Sequence, residues 1–272
     1  MFKGKDNTNN NLRALKIINK EEMRHRLKIK YNNNDIAEQF KLYIEDNLKS
    51  EIEIMRKCMK DNINSIHFYE FYDTEKEYAI VMELCDDNLH NILIERNEGF
   101  NSEEVLNIIT QLNKTFKIMS KNNIIHRDIK LENILVKYIN KEQSKYIVKL
   151  ADYGVSRQLL SLSKKCKSFS GTVNTMAPEV LAGEEYDAKC DLWSLGVIIY
   201  QLFFKKYPYD GLTEVAIYNQ IKNVGQNILK KTGNIQFDNL IRKLLVKDPL
   251  KRLNWEDYFK DPLFTEEKRK ED

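Results

Sequence analysis

The apolar positions of this chain change their period part-way along it. Up to about residue 85 they cluster in short β-branched and aromatic runs. "LRALKIINK", bounded by the Asn-rich "KDNTNNN", predicts a strand, and "IHFYEFYD" followed by "EYAIVMEL" predicts a hairpin. One early segment differs. "EDNLKSEIEIMRKCM" places Leu48, Ile52, Met55 and Met59 at helical spacing, with Asp46 or Asn47 as the expected cap. The stretch Glu22 to Lys49 is polar and shows no apolar period until Phe40, so it reads as an extended surface insertion.

Beyond "CDDN" the period becomes helical. "NLHNILIERN" is followed by "SEEVLNIITQLNKTFKIMSKN", which a capping-box-like Ser102 and Glu104 region opens. "APEVL", "DLWSLGVIIYQLFF", "TEVAIYNQIKN" and "FDNLIRKLLVKD" continue it. Two strand-like interruptions carry the most unusual polar residues: "IIHRDIKLENILV", with apolar ends around a charged loop, and "YIVKLADYG". A stiff loop held at both ends is how a fold offers charge to a ligand. The predicted architecture is α+β. A small strand-rich lobe spans 1–85 with the insertion at about 22–49, a helical lobe spans 86–265, and a charged tail spans 266–272.

Composition narrows the function classes. Of 272 residues, 42% are hydrophobic and 31% charged, a globular balance. A net charge of only +3 gives no strong field for nucleic acid or membrane. Cys58, Cys85, Cys166 and Cys190 are scattered without metal-ligand or disulfide spacing, which suits a reducing compartment. The most apolar run, Leu192 to Phe204, has 13 residues. A bilayer span needs roughly 20, so this run reads as a buried helix. No membrane segment and no leader is read, and the expected location is cytoplasmic or nuclear.

The charges recur in an order that chemistry explains. Lys16 lies inside the apolar run "ALKII", where a charge is costly unless paired, and Glu51 follows on a helix able to face it. The loop offers Asp128, Lys130 and Asn133, and "ADYG" offers Asp152 at a strand end. Asn133 and Asp152 make a hard oxygen pair suited to Mg²⁺, and a paired Lys suits phosphate oxygens.

In these residues, and in the ordered landmarks "ALKII", "SEIEIM", "HRDIKLEN", "ADYG", "GTVNTMAPE", "DLWSLG" and "KDPLKRL", the chain resembles the eukaryotic protein kinase family from about Phe2 to Phe264. The resemblance implies a two-lobed kinase-like fold and an ATP-dependent transfer to a protein serine or threonine. It implies that Lys16, paired with Glu51, holds the α- and β-phosphates. Asp128 would orient the substrate hydroxyl and accept its proton, Lys130 would neutralise the transferring group, and Asn133 and Asp152 would hold Mg²⁺. Ala14 and Leu135 would sandwich adenine, beside gatekeeper Met82 and a hinge of Glu83, Leu84 and Cys85. His126, Tyr153, Met55 and Phe68 would stack between the lobes. Arg127 would receive a phosphate on Ser168, with Ser161, Ser163 and Ser170 as weaker candidates, added by an upstream kinase or by autophosphorylation. Thr172 with Lys130 implies Ser/Thr specificity. Glu179 would pair with Arg252, and Asp191 would anchor the loop through backbone amides.

Three departures stand out. The strand beginning "MFKGKD" aligns after the point where the family has its glycine-rich phosphate loop, so the first strand and the lid are absent from the sequence as read. Tyr153 replaces the usual Phe, and Thr175 the usual Tyr. Two function classes therefore stand: the charge set favours an enzyme, and the missing lid favours a pseudokinase or regulatory binding module.

Overall fold

The computed structural model describes residues 1–6, 10–31, 40, 44–142, 145–161, 166, 171–223 and 229–265. Strands β1 (Phe2–Lys5), β2 (Leu12–Asn19), β3 (Phe68–Asp73) and β4 (Glu77–Glu83) form an antiparallel sheet in the order β1-β2-β4-β3. β2 lies against β4 with Ala14 opposite Met82 and Lys16 opposite Ile80. Side chains alternate along a strand, so Ala14 and Lys16 share one face.

Helix α1 (Lys20–Tyr31) leaves β2 directly. The Asn19 side chain accepts the amides of Glu21 and Glu22, and Met23 and Leu27 are buried. The first part of the stretch expected to be an extended insertion is therefore helical. Its signal was two apolar residues four apart in a charged setting. Residues 32–39 and 41–43 of that stretch lie outside the described residues.

Helix α2 (Ser50–Met59) continues from a π-helical turn, Ile44–Lys49. Its N-cap position is Lys49, in the right-handed helical region and without a side-chain cap bond. The N-cap position thus falls at Lys49 and not at the expected Asp46 or Asn47, because the chain enters already coiled instead of extended. α2 buries Ile52, Ile54, Met55 and Cys58 on the face that also carries Glu51.

The helical part begins with α3 (Leu89–Glu95) and α4 (Ser102–Lys121). The cap of α4 sits one residue before its expected position. Asn101 accepts the Glu104 amide at 3.0 Å while Glu104 accepts the Asn101 amide at 2.8 Å, and Ser102 is the first helical residue. Val105, Ile108, Ile109, Leu112, Phe116 and Met119 form the buried stripe of α4. The apolar run near residue 200 lies in α6 (Lys189–Phe204), which follows the short α5 (Pro178–Leu181). α6 is buried on all sides from Cys190 to Leu202, as its uninterrupted hydrophobicity requires. Helices α7 (Glu214–Asn223), α8 (Ile235–Leu244), α9 (Trp255–Phe259) and α10 (Pro262–Thr265) complete this part. No helix among the described residues is long and apolar enough to cross a membrane.

Two small sheets fix the polar loops between sheet and helices. β5 (Asp87–Asn88), β7 (Ile134–Asn140) and β8 (Lys145–Leu150) pair in the order β5-β7-β8, and β6 (Ile124–Ile125) pairs with β9 (Arg157–Gln158). The loop 126–133 is thus held by β6 and β7, and Asp152 follows β8 directly.

Candidate active site

Lys16 is the first charge to account for. Its Nζ donates to Glu51 Oε1 at 2.6 Å and to Asp152 Oδ1 at 3.2 Å. Burial acts to lower the Lys16 pKa, but the Glu51 and Asp152 carboxylates together hold it above its ordinary value. Burial lifts the Glu51 carboxyl above its usual range, opposed by Lys16. Asp152 behaves otherwise: burial acts upward, yet Lys16 and the Gly154 amide hold its pKa below the usual value. Ionised Lys16 therefore joins strand β2, helix α2 and the turn after β8. Gly154 packs close to this pair: a Cβ on it would lie 2.9 Å from Lys16 Nζ and 3.2 Å from Asp152 Oδ1, so a side chain there would press on the Lys16–Asp152 contact.

The loop after β6 is held from below by Asp191. This carboxylate, 1% exposed at the start of α6, accepts the amide of His126 at 2.7 Å and that of Arg127 at 2.9 Å. Burial pushes its pKa up to about 6, while the two backbone bonds favour the ionised form. Arg127 and Asp152 both have positive φ, 68° and 60°. Such strained backbone persists only where its surroundings fix it. Burial lowers the His126 pKa to about 4. The neutral ring suits both of its contacts: Nε2 lies 3.2 Å from the Ala151 carbonyl, and Nδ1 accepts the Asp128 amide at 3.4 Å.

Asp128 is where the loop's charges meet. Its Oδ2 lies 2.9 Å from Lys130 Nζ and accepts from Asn133 Nδ2 at 2.9 Å. Its Oδ1 accepts the Thr172 hydroxyl at 2.8 Å, and Lys130 Nζ donates to that same Thr172 oxygen at 2.8 Å. Asn133 also donates to the Asp128 carbonyl at 2.9 Å. With the Asn133 amide nitrogen donating to Asp128, its side-chain oxygen is the atom left to accept.

A cleft of about 330 Å³ lies between the four-stranded sheet and the β7 region. Ala14, Lys16, Glu51, Met82, Glu83, Leu84, Cys85, Asn133, Leu135 and Asp152, all singled out in the sequence, line it. Asp128 and Lys130 stand outside its lining, earlier in the loop than Asn133.

Comparison with known proteins gives the family. The chain matches the family described as "Protein kinase domain" over residues 1–264. The chain belongs to the protein kinase domain family. Relatives include the serine/threonine-protein kinase TIO of Arabidopsis thaliana, 33% identical over 76% of this chain and 15% of that protein. Serine/threonine-protein kinase 33 of Bos taurus is 31% identical over 76% of this chain and 43% of its own length. Calcium-dependent protein kinase 4 of Plasmodium berghei is 34% identical over 78% of this chain and 40% of its own length. This kinase domain thus spans less than half the length of each of these relatives.

Glu179 and Arg252 form a bidentate buried pair at 2.7 and 2.8 Å. His126 and Tyr153 pack with ring centroids 5.2 Å apart, and Met55 and Phe68 are buried in the same connected core. Tyr153 is wholly buried, and its hydroxyl lies 2.8 Å from Ser65 Oγ. Thr175 is buried too: its hydroxyl donates to the Thr172 carbonyl at 3.1 Å, and its own carbonyl accepts from Ser194 at 2.6 Å. Arg127 Nε donates to the Val155 carbonyl, and its Nη1 lies 3.4 Å from the Tyr186 hydroxyl. Ser168, Ser163 and Ser170 lie outside the described residues. Gly171 takes φ +114°, and a Cβ there would sit 2.3 Å from the Arg127 carbonyl, so only glycine lets this segment approach the loop.

Two positions went unread in the sequence. Lys149 Nζ donates to the Ile63 carbonyl at 2.6 Å and pairs with Glu83 at 3.0 Å, and Lys137 donates to the Leu84 carbonyl at 3.1 Å. Together these lysines of β7 and β8 tie the Glu83–Leu84 linker to the small sheet. Lys149 sits in "IVKLA", the same charge-in-apolar anomaly that drew attention to Lys16.

Proposed function

We propose that this kinase domain transfers the γ-phosphoryl of Mg²⁺-ATP to a serine or threonine hydroxyl of a protein. The observation that carries this reading is the Thr172 hydroxyl, held between the Asp128 carboxylate and the Lys130 ammonium. An alcohol oxygen stands where a carboxylate can take its proton and an ammonium can offset charge on the group it attacks. A substrate hydroxyl presented to the same two groups meets both requirements of in-line attack: alignment and a proton acceptor.

The cleft residues supply the rest. Ala14, Met82 and Leu135 give adenine apolar walls, and the Glu83–Cys85 backbone gives its edge polar partners. Lys16, held by Glu51, meets the phosphates. Asp152 and Asn133 offer the hard oxygens that Mg²⁺ prefers, and the fixed Asn133 amide fits that role. Bound metal would neutralise the charge on the phosphate oxygens. Cationic Lys16 and Lys130 are already in position, so little reorganisation is needed as that charge develops. A phosphate on the 161–170 segment, added by another kinase or by this one, belongs to the same proposal, with Arg127 as its receiver.

Thermal unfolding tests nucleotide binding. A ligand at 100 times its dissociation constant adds about 2.7 kcal/mol, which raises Tm by roughly 5–10 °C in a domain of this size. Millimolar ATP with Mg²⁺ gives that rise, and chelating the metal removes most of it. No rise at millimolar Mg²⁺-ATP overturns the reading.

A further inference from the structure

The turn at Asp152 is held by a contact that packing alone does not require. Leu150 is fixed to the segment before β3: its amide donates to the Asn64 carbonyl at 2.9 Å, and its carbonyl accepts the Ile66 amide at 2.9 Å. Three residues on, the Tyr153 hydroxyl returns to the same segment, to Ser65 between those two contacts. The span Ala151–Asp152 is thus pinned at both ends to one short stretch of chain. Within it Asp152 has φ +60°, a conformation that residues bearing a Cβ avoid unless it is imposed. Cys58, wholly buried on α2, faces the same hydroxyl, and α2 also carries Glu51. A phenylalanine would fill the same volume against His126 but could not make the bond to Ser65.

We propose that Tyr153 and Ser65 are positioning residues: the bond between their hydroxyls latches the Asp152 turn inward and keeps its carboxylate at Lys16. The latch rests on the reading above in that Asp152 then meets the metal-bound nucleotide. Its physical content is separate: it sets how often the turn opens. Both hydroxyls are buried, so the native state satisfies each with the other, and a turned-out Tyr153 must exchange this partner for water.

Hydrogen exchange of the full chain without nucleotide reads that opening. The peptide to follow covers residues 150–157, which contains the Gly154 amide on Asp152 and the Ser156 amide on the Tyr153 carbonyl. One buried hydrogen bond corresponds to roughly a fivefold change in an equilibrium. Tyr153→Phe and Ser65→Ala each speed exchange in that peptide by roughly fivefold and leave α8 unchanged. The double variant matches Tyr153→Phe, because Ser65→Ala removes only the bond that Tyr153→Phe has already removed. Unchanged exchange in Tyr153→Phe overturns the latch, as does an equal rise in α8 or a double variant that multiplies the singles to roughly 25-fold. Mg²⁺-ATP stabilisation of the unsubstituted chain is read independently. Its absence overturns the nucleotide reading and leaves the latch to stand or fall on exchange alone.

Discussion

Asp128→Asn lowers the rate of phosphotransfer by roughly 10²–10⁴-fold, while Mg²⁺-ATP affinity stays within about twofold. The substitution preserves shape and can still bond Asn133 and Thr172, so the fold and the loop persist. What it removes is a carboxylate able to take the hydroxyl proton and to pair with Lys130 at 2.9 Å. Affinity is spared because Asp128 does not line the cleft in which the nucleotide would sit. Single-turnover transfer from γ-labelled ATP checks the rate, and calorimetric titration checks affinity. A variant that transfers at the unsubstituted rate removes Asp128 from the chemistry.

The second large effect is on stability. Arg252→Met costs about 3–5 kcal/mol, the penalty for stranding one member of a buried pair. The Arg252 and Glu179 side chains are 0% and 2% exposed, so solvent does not screen them. Arg252 also donates to the carbonyls of Val246, Lys189 and Lys247, at 3.0, 3.0 and 3.3 Å. Removing it leaves a carboxylate and three carbonyls to find new partners. For a domain of this size the loss lowers Tm by roughly 6–20 °C, measurable by circular dichroism. Replacing Glu179 by Met as well recovers part of the loss, because the stranded charge is gone. A single-variant loss under about 1 kcal/mol contradicts the account of a tightly coupled pair.

Local features of this chain were legible in its sequence. A lysine inside "ALKII" demands a partner wherever it occurs, and the alternating and helical periods place β2, β3, β4, α4 and α6 without reference to the rest of the fold. Boundaries were less legible. Asn101 and Ser102 are both good caps, and only the backbone angles decide between them. α1 offers two buried residues in a charged run, and α9 and α10 are too short to show a period. Least legible were partners far apart along the chain. Ser65 and Tyr153 are 88 positions apart, and nothing near either one names the other. The Lys149–Glu83 pair was hidden in the same way, although the charge in an apolar strand was visible.

The central claim is that carboxylate, ammonium and amide groups around Asp128, Lys16, Asn133 and Asp152 form a phosphotransfer site. Incubating the chain with γ-labelled ATP, Mg²⁺ and a mixture of protein substrates, then hydrolysing the product to its phosphoamino acids, tests it most directly. The account predicts label on phosphoserine and phosphothreonine that disappears when Mg²⁺ is chelated. Tight, metal-dependent nucleotide binding with no transfer to any hydroxyl would contradict it and identify a binding module built on the same fold.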